Sequence, residues 1–201
     1  MRLTASVDHA EKLLAPTLAQ LTGSVALRLD VGLPDHILML DAHDLDNYAL
    51  PLAHRLTTTQ SLDFVSIWAT KAAADTSLIR SEPATHASLP GPFDYRVTVR
   101  TTASASTMAY KQQVSTGLTD AAELPPGRIA VELAFVVGPR RNWLNLWKPT
   151  IDALDRLLGR TYPDREWHPR DGRITELGLH RTIDETLGND VAITIATRAP
   201  S

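Results

Sequence analysis

The side chains best suited to chemistry in this chain are two aspartates and one lysine. The aspartates stand two apart in His43-Asp44-Leu45-Asp46-Asn47-Tyr48-Ala49-Leu50-Pro51. The lysine lies far downstream in Arg141-Asn142-Trp143-Leu144-Asn145-Leu146-Trp147-Lys148-Pro149. Side chains at i and i+2 of an extended segment point to the same side, so Asp44 and Asp46 can share a hard cation such as Mg2+ through oxygen ligands. A cation so held polarises a phosphodiester and helps generate hydroxide from water. The competing reading is a polar turn after Asp41-Ala42-His43 with both carboxylates solvated. Asn47 is expected to cap the following helix, whose N-terminal amides favour phosphate. Lys148 either neutralises a phosphate or the charge developing on a leaving oxygen, or is an exposed lysine at a helix start, where the macrodipole mildly disfavours it.

The two stretches correspond to each other. Aligning Asn47 with Asn145 also brings Pro51 onto Pro149 and Leu56 onto Leu154. Each follows an alternating apolar run that begins just after a glycine, Gly23 to Leu33 and Gly127 to Val137. The paired carboxylates stand only in the first copy and the lysine only in the second.

The elements that position these residues follow from periodicity. Val7 to Leu21 predicts a helix with Leu13, Leu14, Leu18 and Leu21 on one face, Ser6 as N-cap and Pro16 as a bend. Ser24 to Leu33 alternates as a strand. A short helix ending near Arg55 or Leu56 follows Asp44 to Asn47, then strands over Asp63 to Lys71 and, more weakly, Thr76 to Ser81. Ser88-Leu89-Pro90-Gly91-Pro92 reads as a linker, which divides the chain into residues 1–87 and 93–201. Beyond it come a strand over Tyr95 to Thr101, a helix over Thr107 to Ala122, a strand over Ile129 to Val137 and a helix over Pro149 to Leu158. Strands over Arg173 to Arg181 and Val191 to Thr197, joined by a turn at Gly188-Asn189-Asp190, complete the chain. The order from residue 93 is β-α-β-α-β-β, and the first copy repeats it without the leading strand. Repeated units bury their faces against each other, so the expected class is α+β with two halves packed as an intramolecular pseudo-dimer.

Residues 93–199 resemble the RusA-type Holliday-junction resolvases, small endonucleases that act as homodimers on four-way DNA junctions. The family's hallmark is Asp-x-Asp-Asn-Leu-x-Lys opening a helix that contains Asp-Ala-Leu, with a further acidic residue and a strand after it. The second copy has Asn145-Leu146-Trp147-Lys148-Pro149-Thr150-Ile151-Asp152-Ala153-Leu154, then Asp171-Gly172-Arg173-Ile174 where the later acid belongs, and Val191-Ala192-Ile193-Thr194-Ile195 as the closing strand. Its positions for the two metal-binding aspartates hold Asn142 and Leu144, and leucine cannot ligate a metal. The first copy keeps the acidic part of the hallmark as Asp44-Leu45-Asp46-Asn47 but has Leu50 at the lysine position, with Asp63 the nearest candidate for the later acid. The resemblance implies structured or branched DNA as partner and Mg2+-dependent phosphodiester cleavage. Asp44, Asp46 and Asp171 would be metal ligands, and Lys148 would be contributed across the pseudo-dimer. It equally allows a catalytically inactive relative that binds nucleic acid, or a protein-interaction module. Asp171 is then either a third ligand or the start of a turn before Gly172.

Composition sets the outer bounds. An apolar fraction of 43% over 201 residues supports a packed core, and the absence of cysteine excludes disulfides and thiolate metal sites. No apolar run has the length of a bilayer span, and Met1 to Leu21 lacks a basic region followed by an apolar block, so a cytoplasmic protein with no membrane partner is expected, as a monomeric pseudo-dimer or a homodimer. The net charge of −3 gives no general pull toward nucleic acid. Its distribution is uneven: residues 1–90 carry six basic and ten acidic side chains, and residues 139–181 nine basic and six acidic. Arg140, Arg141, Lys148, Arg170 and Arg173 form either a phosphate-contacting patch or a solvated face. Trp143 and Trp147, four apart, either stack on unpaired bases or plug the seam between the halves.

Overall fold

The computed structural model describes residues 3–41, 43–60, 62–85, 89 and 91–199. Ser88 and Pro90 of the expected linker lie outside the described residues. In chain order the elements are α1 (Leu3–Leu18), β1 (Ser24–Leu33), α2 (Leu45–Gln60), β2 (Asp63–Ala73), β3 (Leu78–Pro83), β4 (Tyr95–Thr101), α3 (Met108–Thr116), β5 (Ile129–Val137), α4 (Trp147–Asp152), α5 (Asp155–Leu158), β6 (Ile174–Ile183) and β7 (Val191–Arg198). All seven strands join one mixed sheet in the order β3-β1-β2-β6-β5-β7-β4. β1 runs parallel to β2 and β5 parallel to β6; every other neighbouring pair is antiparallel. Strands on either side of the expected linker therefore share one sheet, joined where β2 pairs with β6.

Alternation decides which residues make the core. Across the sheet the cross-strand neighbours Leu27, Ile67, Leu179, Leu133, Ile195 and Val97 form one row, and all pack in or against a single hydrophobic cluster. The same cluster takes Leu14 and Leu18 of α1, Ala49, Leu52 and Leu56 of α2, Tyr110 and Val114 of α3, and Ile151, Leu157 and Leu158 of α4 and α5. One residue along each strand, the row reads Arg28, Trp68, Gly178, Glu132, Ala196 and Arg96, because successive side chains alternate between faces. The helices thus cover the apolar face, and the other face is polar.

Several expectations need correction. Leu13 is 58% exposed, so the buried stripe of α1 is carried by Leu14 and Leu18. α2 runs through Pro51 to Gln60, well past Leu56. α3 ends at Thr116, where Gly117 lies so close to Val99 of β4 that a Cβ would collide with its side chain. The helix expected over Pro149 to Leu158 is a 3-10 turn at Leu144–Leu146 followed by two short helices, because i→i−3 hydrogen bonds from Ala153 and Leu154 tighten the chain between them. Among the described residues no helix is long and apolar enough to cross a membrane.

Candidate metal centre

His43 turns the chain into α2 with φ = 64°, a left-handed conformation that is uncommon for a residue with a side chain. Its ring hydrogen-bonds to the Tyr48 hydroxyl one turn into the helix, which fixes the turn from the helix side. Asp44 precedes the helix and Asp46 lies in its first turn, so the two carboxylates converge through a helix start, not through an extended segment. Asn47 is inside the helix and not its cap. Its side-chain amide donates to the Asp44 carboxylate (3.1 Å), and its backbone N–H to the Asp44 carbonyl (3.1 Å). Asp46 is 3% exposed and Asp44 half-buried.

Asp171 arrives from the other end of the chain, on a 3-10 turn that leads into β6. The turn is anchored by Arg173, whose buried guanidinium donates to the carbonyls of Leu158 (2.8 Å), Gly127 (3.1 Å), Leu124 (3.3 Å) and Pro125. A buried charge is tolerated when its hydrogen-bonding capacity is met in this way. Arg173, expected to contact DNA, is therefore an interior anchor with no surface to offer a phosphate.

The carboxylates of Asp44, Asp46 and Asp171 come together with ligand oxygens all within 4.8 Å of one another. Lys148, in the first turn of α4, reaches into the group: its Nζ lies 3.1 Å from Asp171, 3.3 Å from Asp152 and 3.4 Å from Asp46. Asp152 is shared with Lys111 of α3 at 2.7 Å. Burial pushes the carboxyls of Asp44 and Asp46 above the usual aspartate range; neighbouring carboxylates add to the rise and Lys148 offsets part of it. For Lys148 burial opposes the charge, but Asp46, Asp171 and Asp152 outweigh it and hold the ammonium above its ordinary range. Beside the group opens a cavity of about 490 Å³ lined by Asp44, Asp171, Lys148, Lys111, Tyr162 and His168, among others.

All four side chains expected to do chemistry thus meet at one place, two from each half of the chain. Asp63 does not: it lies at the start of β2, where it accepts from Ser24 and Arg181, and Asp171 occupies the position in the cluster for which it was considered. The basic residues scatter. Arg140 is exposed, Arg141 donates to the Ala103 carbonyl (3.1 Å), and Arg170 pairs with Glu123. Trp143 (4% exposed) and Trp147 (0%) are core residues whose rings meet edge to face at 4.9 Å, so neither offers a platform for bases. Sequence reasoning missed Asp152, the second partner of Lys148, and Lys71, which donates to backbone on both sides of the cluster. The signal for Lys71 was its place on the apolar parity of β2, in phase with Ile67 and Ala69. No protein-family model matches this chain, and no curated protein matches its sequence.

Proposed function

We propose that this protein is a metal-dependent endonuclease acting on branched or otherwise structured DNA, built from two RusA-like halves fused in one chain as an intramolecular pseudo-dimer. One observation carries the reading: Asp44 and Asp46 from the first half meet Asp171 and Lys148 from the second in a single ionic cluster. The resemblance assigned metal-binding or catalytic roles to these same four residues from sequence positions far apart. Strand directions support the pseudo-dimer. The set β3-β1-β2 has the same parallel and antiparallel pairings as β7-β5-β6, and β2 meets β6 antiparallel, as a two-fold relation requires.

Three carboxylates with oxygens this close form an all-oxygen donor set suited to a hard divalent cation such as Mg2+. When bound, that cation supplies Lewis-acid polarisation of a phosphodiester and lowers the pKa of water. The chain's own residues do the rest. Asp44, Asp46 and Asp171 hold the negative charge that selects a cation. Lys148, held by Asp152 as well as by Asp46 and Asp171, neutralises charge on the scissile phosphate or its leaving oxygen. Lys111 adds a second cation to the same cavity. The positions matching Asp44 and Asp46 in the second half are Asn142, which is exposed, and Leu144, which is buried in the core. One composite site therefore nicks one strand and does not make the paired cuts of a resolvase.

The test is incubation of the pure protein with a labelled four-way junction and a matched linear duplex at low salt, with Mg2+ or with EDTA. Junction cuts that need Mg2+ and vanish in Asp46→Asn support the proposal. Binding without cutting points to an inactive relative, and neither binding nor cutting refutes the reading.

A further inference from the structure

Lys71 sits near the end of β2 and is 3% exposed. Its Nζ donates to the carbonyl of His43 (3.1 Å) and to that of Gly172 (2.7 Å). Those two residues flank ligands: His43 immediately precedes Asp44, and Gly172 immediately follows Asp171. The second bond spans 101 residues of sequence, so one ammonium bridges segments with no local reason to be adjacent. Gly172 shows how closely the segments approach. A Cβ there would lie 2.6 Å from the Leu40 carbonyl oxygen and 3.2 Å from the Asp41 carbonyl carbon, both backbone atoms. Its backbone angle is ordinary, so glycine is required here for space and not for conformation. An ammonium buried on the apolar parity of a strand is costly unless it is well satisfied: burial pulls Lys71 below the usual lysine range, and the carboxylates of Asp44 and Asp171 offset part of that.

We infer that Lys71 and Gly172 form a clamp that sets the separation between the Asp44–Asp46 and Asp171 segments, with Lys71 the positioning residue of the composite site. The inference rests on the metal-site reading above. In this role Lys71 acts through the His43 and Gly172 carbonyls. Lysine suits this because its ammonium carries three donors on a long stem and can join carbonyls several ångströms apart.

The test uses the full chain as Lys71→Met and as Gly172→Ala, with Mn2+ alone as probe. Mn2+ affinity is measured by electron paramagnetic resonance, and amide exchange is followed over residues 38–46 and 169–174. The clamp predicts Mn2+ binding at least about ten-fold weaker in each folded variant and exchange at least about ten-fold faster in those two segments, with β5 and β7 unchanged. A lysine that only stabilises the fold would lower the melting temperature in EDTA while folded protein bound Mn2+ as wild type does; that result, or unchanged exchange in both segments, overturns the inference. If Lys71→Met does not fold, Gly172→Ala decides with the same two measurements. Should wild-type protein bind no Mn2+, the metal-site reading fails on its own, and the exchange comparison still decides the clamp.

Discussion

Helix α2 and the segment from Asn142 to Leu158 share an asparagine and a proline at the same spacing, Asn47 and Pro51 against Asn145 and Pro149, and form different structures. α2 is a continuous sixteen-residue helix that buries Leu45, Ala49, Leu52 and Leu56 and holds Asp46 in its first turn, where the macrodipole favours negative charge. The second segment is a 3-10 turn and two short helices, and Leu144, Leu146, Trp147 and Ile151 are all buried. Where Asp44 stands just before α2, the second segment has an exposed Asn142 whose side chain accepts from the Leu144 N–H (3.1 Å). Where α2 offers Asp46, it has a leucine in the core. The first segment supplies carboxylates and the second directs one ammonium toward them. Two segments distant in the sequence thus supply complementary parts of a single cluster.

The sharpest way to break that comparison is to give the second segment an acid. Leu144→Asp should cost about 3 kcal/mol, because a carboxylate would replace an apolar side chain that is 4% exposed. Denaturant unfolding measures the loss, and no second metal site should appear. A Leu144→Asp protein as stable as wild type would mean the second segment had kept room for a site. Next in size is Asp46→Asn, which on the proposed nuclease reading should lower Mg2+-dependent cleavage on the order of a hundredfold or more while leaving the far-ultraviolet spectrum unchanged.

Glu132, on the polar face of the sheet, sharpens the contrast because it is a buried acid with no lysine beside it. It is 2% exposed, its oxygens make no hydrogen bond among the described residues, and Arg198 is 4.0 Å away. Burial pushes its carboxyl up to about 7; Arg198 offsets part of the rise and Glu176 adds to it. The unfolded chain releases this proton near pH 4.5 and the folded chain near 7, so the unfolded state binds fewer protons between those values. Stability therefore falls as pH rises through that window and levels off above it. Glu132→Gln should remove the slope and stabilise the protein by about 2 kcal/mol at pH 8, read from melts across the pH range. The smallest expected effect belongs to Lys148→Met. Partial exposure of the ammonium limits the loss in EDTA to about 1 kcal/mol at low salt, and added Mn2+ should raise the melting temperature more than it does for wild type, since the competing cation is gone.

Much of the fold was legible in local pattern. β1, β4 and β5 match their expected limits, and β7 nearly so, because period-2 alternation against one covered face leaves little freedom in register. Helix lengths were less legible: α3 stops where Gly117 meets β4, a non-local contact, and the helix expected over Pro149 to Leu158 breaks between Asp152 and Asp155, where Ala153 and Leu154 make i→i−3 hydrogen bonds. The cluster divides in the same way. Asp44, Asp46 and Lys148 announce themselves through residue type and spacing. That Asp171 completes the group while Asp63 does not depends on the pairing of β2 with β6. Asp63 stands eight residues before Lys71 on β2, roughly 26 Å away at the rise of a strand, while the turn before β6 delivers Asp171 to the opposite end. Likewise the basic residue types were visible, but only packing turned Arg173 into an interior anchor and Lys71 into a bridge. The amino-acid sequence by itself determined which side chains carry charge and which strands alternate, since these follow from residue type and period. The tertiary structure alone decided which charges meet, because the register between β2 and β6 joins residues more than a hundred positions apart and no local pattern encodes it.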